Sequence, residues 1–135
     1  MDREGSISPD HAEAHVRSIA AKKAITIEWT AADRADEAWA VREMDLVSIP
    51  RIRSLGDYAI ALHELGHVLG PRQTSEVVSV RERWAWRWAE AHALVWTEEM
   101  ERQRQRSIRS ARTGPRNFPI AVPGAVRAIQ GKKGG

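Results

Sequence analysis

One short stretch in the middle of this 135-residue chain carries both a start and a stop signal for a helix. Ser54 can cap a helix with its side-chain oxygen, and Asp57, three residues later, completes a pattern like a capping box. Gly70 and Pro71 form the stop, because glycine suits the position after a helix and proline cannot continue one. The sequence therefore predicts a helix that ends at Leu69, and no other predicted element is so sharply bounded.

Two histidines and a glutamate lie in the middle of this predicted helix, in the order His63-Glu64-Leu65-Gly66-His67. Residues four apart share one face of a helix, so both imidazoles can reach one metal ion. Glu64 lies about 100° further round the helix than His63, which suits a general base acting on a water better than a third ligand. The competing interpretation is that His63 and His67 are half-buried helix residues that bind no metal.

Gly66 is unfavourable by helix propensity, since glycine inside a helix costs about 1 kcal/mol relative to alanine. A close approach by another backbone would explain it, because glycine has no Cβ to block that approach. The sequence thus predicts that a second segment of the chain packs against this helix at Gly66.

A catalytic zinc site needs a third protein ligand, and the chain has no cysteine, so that ligand is a histidine or an acid. The next predicted helix runs from Ser75 to about Trp96, and Glu82 lies on its apolar side. The stripe that contains Glu82 also holds Val78, Ala85, Ala89 and Trp96. A buried carboxylate without a cation is costly, and a metal ion on the neighbouring helix removes that cost. Glu82 is therefore the candidate third ligand.

An ion pair with an arginine would also explain a carboxylate on the apolar side of this helix. The helical pattern alone leaves both explanations of Glu82 open. Glu76 and Glu90 are weaker ligand candidates, because Glu76 lies at the helix start, where acids are favoured anyway, and Glu90 lies on the polar side. His11 and His15 are also four apart, but too few acids of matching spacing lie near them for a second metal site.

At these motifs the chain resembles the ImmA/IrrE family of metallopeptidases, which occurs in bacteria, their phages and mobile elements. The resemblance covers roughly residues 40 to 95 and rests on the segments 61–70 and 82–89. The second motif of that family has the form Glu-x-x-Ala-Asn-x-aromatic-Ala, and this chain reads Glu-Arg-Trp-Ala-Trp-Arg-Trp-Ala there. The first motif is shared by many zincins, so the second one carries the resemblance.

Taken residue by residue, the resemblance implies one Zn²⁺ per chain, held by His63, His67 and Glu82, with Glu64 as the general base. Trp86 stands where the family usually has asparagine, so any part that asparagine plays beside the metal has no counterpart here. Family members of known role often cleave a repressor-type transcription factor. The resemblance therefore implies a regulatory protein or a peptide as the substrate.

The remaining elements predict an α+β, zincin-like domain that spans residues 1–112, with a small sheet of about three strands packed on the two ligand-bearing helices. The other predicted elements are a helix at 9–21, strands at 24–30, 37–42 and 45–52, and a polar helix from about 98 to 110. Pro50 has no N–H for a ladder, which predicts that its strand lies at a sheet edge. Residues 113–135 combine Gly, Pro and Lys and predict a disordered basic tail.

Basic charge is concentrated near the C-terminus, where nine Lys or Arg and one acid occur from Glu101 onward. The arginines there alternate with Gln and Ser and not with aromatic residues, which argues against binding of single-stranded nucleic acid. No apolar run could span a membrane, and the polar N-terminus lacks the basic and apolar regions of a secretory signal. These features predict a cytoplasmic protein, and they do not specify an oligomeric state; the protein or peptide substrate is implied by the resemblance.

Further side chains near the motifs are candidates for supporting roles. Tyr58 and His92 could stabilise the transition state or support a ligand, although packing explains each of them at least as well. Trp84 and Trp88 are predicted to pack in the core. Trp86 is predicted to face away from them, as an exposed surface for a substrate or partner.

The combined pattern predicts a zinc metallo-endopeptidase, in which Glu64 takes a proton from a water that attacks the peptide bond. The predicted strand at 45–52 could hold an extended peptide by strand addition. The alternative is a non-catalytic protein of zincin fold that uses the metal structurally and its basic tail to bind a partner or nucleic acid. The presence of Glu64 argues against this alternative, because a structural site needs no base beside the metal.

Overall fold

The computed structural model describes residues 5–30 and 37–113. Within these ranges the chain is mixed α+β, with four helices and one three-stranded sheet, as the sequence predicts at that level. The helices are α1 (Pro9–Lys23), α2 (Leu55–Leu69), α3 (Val78–His92) and α4 (Glu98–Thr113). The strands are β1 (Thr26–Thr30), β2 (Trp39–Val41) and β3 (Leu46–Pro50), with a turn of 3₁₀ helix at Arg42–Met44.

The chain forms two compact units, residues 1–104 and residues 105–135. The first unit contains α1, α2, α3, the sheet and the beginning of α4. Of the second unit, only the part of α4 up to Thr113 belongs to the described residues. The predicted basic tail lies outside them, apart from Thr113 itself. Among the described residues, no helix combines the length and the apolar character needed to cross a membrane.

The sheet has the strand order β1-β3-β2, so β3 is its central strand. β1 runs parallel to β3, and β2 runs antiparallel to it. The prediction that Pro50 marks an edge strand is therefore wrong. The reason is local: β2 pairs with β3 only as far as Ser48, so among the described strands Pro50 has a neighbour on the β1 side alone, and its missing N–H is tolerated there.

Helix α2 lies against the sheet and against both α1 and α3, and it forms the centre of the fold. Its first turn is capped as predicted, because the Ser54 Oγ accepts a hydrogen bond from the Asp57 N–H at 3.1 Å. The return bond differs from a capping box, since the Asp57 carboxylate accepts from the Arg53 N–H at 3.0 Å. The helix ends at Leu69 with Gly70 as its C-cap, which confirms the predicted stop.

The contact between α2 and α3 confirms the prediction made for Gly66. A Cβ at this position would lie 2.5 Å from the carbonyl oxygen of Ala85 and 3.0 Å from its Cα. The backbones approach closely there because Gly66 has no side chain and Ala85 and Ala89 are small and fully buried. This approach determines how far the face of α3 lies from the motif on α2.

Helix α3 differs from the prediction in length and in the face that it buries. It ends at His92, so Trp96 is not part of it, and its buried residues are Ala85, Trp86 and Ala89. Trp86 is 1% exposed, whereas Trp84 and Trp88 are only partly buried, which reverses the predicted roles of the three tryptophans. Trp86 lies one helical turn beyond Glu82, so a face that buries Glu82 and Ala89 necessarily includes it.

Candidate metal centre

His63, His67 and Glu82 converge at the contact between α2 and α3. The Nε2 atom of His63 lies 2.9 Å from Oε1 of Glu82, and the Nε2 atom of His67 lies 2.9 Å from Oε2. The two Nε2 atoms are 3.1 Å apart. These side chains form a group that could hold a metal ion, and they are the only group of three or more His, Cys, Asp or Glu of that kind within residues 5–30 and 37–113.

The spacing of the donor atoms fits a small divalent cation. Four ligands at about 2.0–2.1 Å from a tetrahedral zinc lie roughly 3.3 Å from one another. The three atom pairs at 2.9, 2.9 and 3.1 Å are slightly closer than that, so a small outward shift would admit an ion. Two imidazoles and one carboxylate are also a known donor set for a catalytic zinc, which keeps a fourth position open.

The charges within the group also favour a cation between the side chains. Burial lowers the pKa of His63, but the Glu82 and Glu64 carboxylates outweigh burial and raise this pKa well above its usual value. Burial raises the pKa of Glu82, but the charges and hydrogen bonds of His63 and His67 lower it far below its usual range. The same negative charge that favours a proton on His63 would favour a metal ion at this position.

Glu82 therefore pairs with two histidines, and the ion pair with an arginine that remained open from the sequence is not what the structure contains. The other acids considered lie elsewhere, since Glu90 pairs with Arg104 at 2.9 Å and Glu76 is exposed before α3 begins. The Glu82 side chain is 32% exposed and that of His63 is 10% exposed. The group is accessible to solvent mainly from the side of Glu82.

Glu64 is 7% exposed and lies against the other nitrogen of the His63 ring. Its Oε2 atom is 3.5 Å from Nδ1 of His63, whereas Glu82 faces Nε2 of the same ring. Glu64 thus contacts a member of the group without itself facing Glu82. The expected role of Glu64 as the general base stays a prediction.

Trp86 forms one wall of the group, which the sequence did not indicate. Its ring stacks on the His63 ring with centroids 4.1 Å apart and an interplanar angle of 12°. The Nε1–H of Trp86 is buried and has no hydrogen-bond partner among the described residues. The stack restricts rotation of the His63 ring, so Trp86 helps to hold the Nε2 atom toward Glu82.

Gln73 is a further neighbour that sequence analysis missed. Its Oε1 atom lies 2.8 Å from Nδ1 of His67, and its Nε2 donates to the carbonyl oxygens of Pro71 at 3.2 Å and Arg81 at 2.9 Å. Gln73 belongs to the loop between α2 and α3 and is 9% exposed. Nothing in the local sequence distinguishes it from a solvated polar loop residue, because its contacts depend on the conformation of the loop.

Tyr58 and His92 occupy positions different from those of the three converging side chains. The Tyr58 hydroxyl is fully buried, lies 2.7 Å from Nδ1 of His15 and accepts a hydrogen bond from the Leu94 N–H at 3.0 Å. The exposed His92 ring stacks on Trp88, and its Nδ1 donates to the Trp88 carbonyl at 2.9 Å. Neither residue belongs to the group that could hold a metal.

Comparison with known proteins adds no assignment to this geometry. The chain matches no family model, no curated protein and no solved structure. A functional proposal for this chain therefore depends on the residues themselves and on the arrangement of His63, His67 and Glu82.

Proposed function

We propose that this protein is a zinc-dependent metallo-endopeptidase of zincin-like fold, similar to the ImmA/IrrE peptidases. The observation that supports this most is the convergence of His63, His67 and Glu82 within about one zinc coordination sphere. Glu64 next to His63 adds a buried carboxylate that a peptidase could use as its general base.

His63, His67 and Glu82 would hold the ion, and Glu64 would act on the water. A bound zinc would supply Lewis acidity, which polarises the scissile carbonyl and lowers the pKa of a bound water toward neutrality. Glu64 accepts the proton as the water oxygen attacks the carbonyl carbon. It then delivers this proton to the amide nitrogen as the carbon–nitrogen bond breaks. Its burial at 7% exposed keeps competing water away from the proton transfer.

The open side of the group supports a polypeptide substrate. Glu82 is 32% exposed, and Val78, one helical turn before it, is 57% exposed. A substrate segment that approaches Glu82 would therefore pass an apolar side chain at the start of α3. We expect a preference for an apolar residue close to the cleaved bond.

An extended substrate can be held through its main chain, although not along the strand first considered. β3 pairs with β1 and with β2 as far as Ser48, which removes most of the strand addition expected at 45–52. Among the described strands, which have the order β1-β3-β2, the outer edges belong to β1 and β2, and of these two strands β2 has the more extensive contact with α2. The outer edge of β2 is therefore the better candidate for strand addition. We propose that the substrates are regulatory or repressor-type proteins of the cytoplasm.

A second function is supported by the contact of Glu64 with His63. A carboxylate near the Nδ1 atom of a ligand histidine also stabilises purely structural metal sites. In that case the protein is a non-catalytic interaction module, with the metal as a structural pin and the basic C-terminal segment as a binding element. The two functions differ in the effect of Glu64→Gln, which abolishes turnover in a peptidase and weakens metal binding in a structural site.

The test is cleavage of an unstructured protein mixture by the zinc-loaded wild type, with new N-termini identified by mass spectrometry. Glu64→Gln serves as the matched control, because it keeps size and hydrogen bonding and removes the base. We expect cleavage by the wild type, loss of cleavage by at least 100-fold in Glu64→Gln, and inhibition by a zinc chelator. Zinc-loaded wild type that cleaves no more than Glu64→Gln would overturn the proposal.

A further inference from the structure

The amide of Gln73 has one orientation that its surroundings allow. Its nitrogen lies within hydrogen-bond distance of two carbonyl oxygens, those of Pro71 and Arg81. Turning the amide over would bring the Gln73 oxygen against both carbonyl oxygens and leave three acceptors without a donor. The oxygen of Gln73 therefore faces Nδ1 of His67, at 2.8 Å.

This orientation places a proton on Nδ1 of His67, the ring nitrogen that faces Gln73 and not Glu82. An amide oxygen only accepts hydrogen bonds, so Nδ1 of His67 must be the donor. With a metal ion between Nε2 and the Glu82 carboxylate, an imidazole that carries its proton on Nδ1 would present the lone pair of Nε2 to that ion. Nε2 is the atom that lies 2.9 Å from Glu82 and 3.1 Å from Nε2 of His63, which is the atom a metal ion would bind.

Gln73 also connects the two helices that carry the group. Its oxygen contacts His67 near the end of α2, and its nitrogen donates to the carbonyl of Arg81, the residue before Glu82 on α3. One buried side chain thus contacts a donor residue on one helix and the neighbour of a donor residue on the other. Only a primary amide offers an acceptor and two N–H donors together in this way, whereas a glutamate offers acceptors alone.

We propose that Gln73 is the positioning residue of the metal centre. It holds His67 in the Nδ1–H tautomer with Nε2 directed at the ion, and it ties the start of α3 to the end of α2, so that Glu82 meets His63 and His67. This inference rests on the proposed function only in that His63, His67 and Glu82 bind a metal. It does not depend on whether a peptide is cleaved.

Zinc affinity, measured by competition with a chromophoric chelator, tests the proposal on the full-length protein. Gln73→Leu keeps a similar volume and removes the amide, so we expect its Kd for zinc to rise 10- to 100-fold. Thr74→Val is the matched control, because Thr74 is exposed in the same loop, and its Kd should equal that of the wild type. Circular dichroism of each chelated variant establishes that the variant is folded.

Gln73→Glu separates positioning from simple packing. The glutamate keeps an acceptor for His67 Nδ1–H but places a charge at a buried site beside two carbonyl oxygens. If Gln73 positions His67, we expect Gln73→Glu to bind zinc more tightly than Gln73→Leu, although Gln73→Glu is the less stable of the two variants. If Gln73 only fills space, the order of affinities follows the order of stabilities, which overturns the proposal.

The tautomer provides a readout that does not involve zinc affinity. Long-range nitrogen–proton NMR correlations of the imidazole should report Nδ1–H for His67 in the zinc-loaded wild type, and this signal should weaken or exchange faster in Gln73→Leu. If the wild type binds zinc and Gln73→Leu binds it with the same Kd, the positioning role is overturned and the metal centre stands. A wild type that binds no zinc would overturn the metal centre itself, and the positioning role with it.

Discussion

Gly66 on α2 and Ala85 on α3 touch backbone to backbone, with room for no additional carbon atom: a Cβ on Gly66 would lie 2.5 Å from the Ala85 carbonyl oxygen. This contact lies one residue before His67 and three residues after Glu82. The distance between the two helices at this point therefore controls whether the histidines and the carboxylate can share one ion.

Gly66→Ala is predicted to destabilise the protein although alanine is the better helix former. The gain of about 1 kcal/mol in helix propensity is smaller than the cost of forcing the backbones apart, which overpacking puts at roughly 1–3 kcal/mol or more. We expect a net loss of stability in urea unfolding and a weaker zinc Kd. Gly56→Ala is the matched control on the same helix, where a new Cβ makes ordinary contacts of 3.5 Å or longer. A Gly66→Ala protein as stable as Gly56→Ala would contradict the close approach.

Trp86→Ala is predicted to be far more damaging than Trp84→Ala. Trp86 is 1% exposed and stacks on His63, so its removal should cost about 3–5 kcal/mol and leave the His63 ring free to rotate. Trp84 is partly exposed and lies beneath the guanidinium groups of Arg72 and Arg87, at 5.1 and 4.7 Å from the ring centroid. Chemical unfolding of both variants checks this ranking. Equal losses in the free energy of unfolding would contradict the buried position of Trp86.

Tyr58→Phe is predicted to lower stability without changing zinc affinity or the cleavage rate of the folded enzyme. Burial is the main reason that the pKa of His15 is lowered, so the neutral ring accepts the Tyr58 hydroxyl proton, while the Leu94 N–H donates to the same oxygen. Deleting the hydroxyl removes both hydrogen bonds from partners that are only partly buried, at a cost of about 0.5–1.5 kcal/mol. A variant with normal stability and zinc content but a large loss of kcat would instead favour the role at the transition state considered for Tyr58.

Glu13→Gln is predicted to reduce stability at neutral pH and to leave it unchanged in strong acid. Hydrogen bonds from Arg51 are the largest cause that lowers the pKa of Glu13 to about 2, with further bonds from the Ile52 N–H and Arg17. A carboxyl with a lowered pKa stabilises the fold fully above its ordinary value of 4.5 and loses that effect as the pH falls toward 2. Urea unfolding of both proteins between pH 7 and pH 2 should give curves that converge. A difference that stays constant over that range would contradict the ion pair.

The sequence predicted the elements whose causes are local. Ser54 and Gly70 bound α2 because capping depends on a few neighbouring residues, and His63 and His67 share a face because helix geometry requires it. Gly66 was informative for a different reason. Glycine weakens the helix and gains nothing from its sequence neighbours. Its presence therefore indicated a contact with a distant segment, which the structure shows to be Ala85 on α3.

The features that the sequence did not predict depend on tertiary contacts. Pro50 lies in a central strand because β2 is short, and the length of β2 is not evident from residues near Pro50. The sequence predicts an exposed Trp86 because small residues outline the stripe of α3, but a large residue one turn from Glu82 fits the same buried face. Gln73 contacts His67 only because the intervening loop turns back, with Arg72 at a φ of 61°.

The most direct test of the central claim is the zinc content per chain, measured by elemental analysis on protein purified without chelators. We predict about one zinc per chain in the wild type and in Glu64→Gln, and a large loss in Glu82→Gln, which removes the charge that meets both Nε2 atoms. A wild type that contains no zinc and takes up none on addition, or a Glu82→Gln variant that retains zinc as fully as the wild type, would contradict the assignment of His63, His67 and Glu82 as a metal centre.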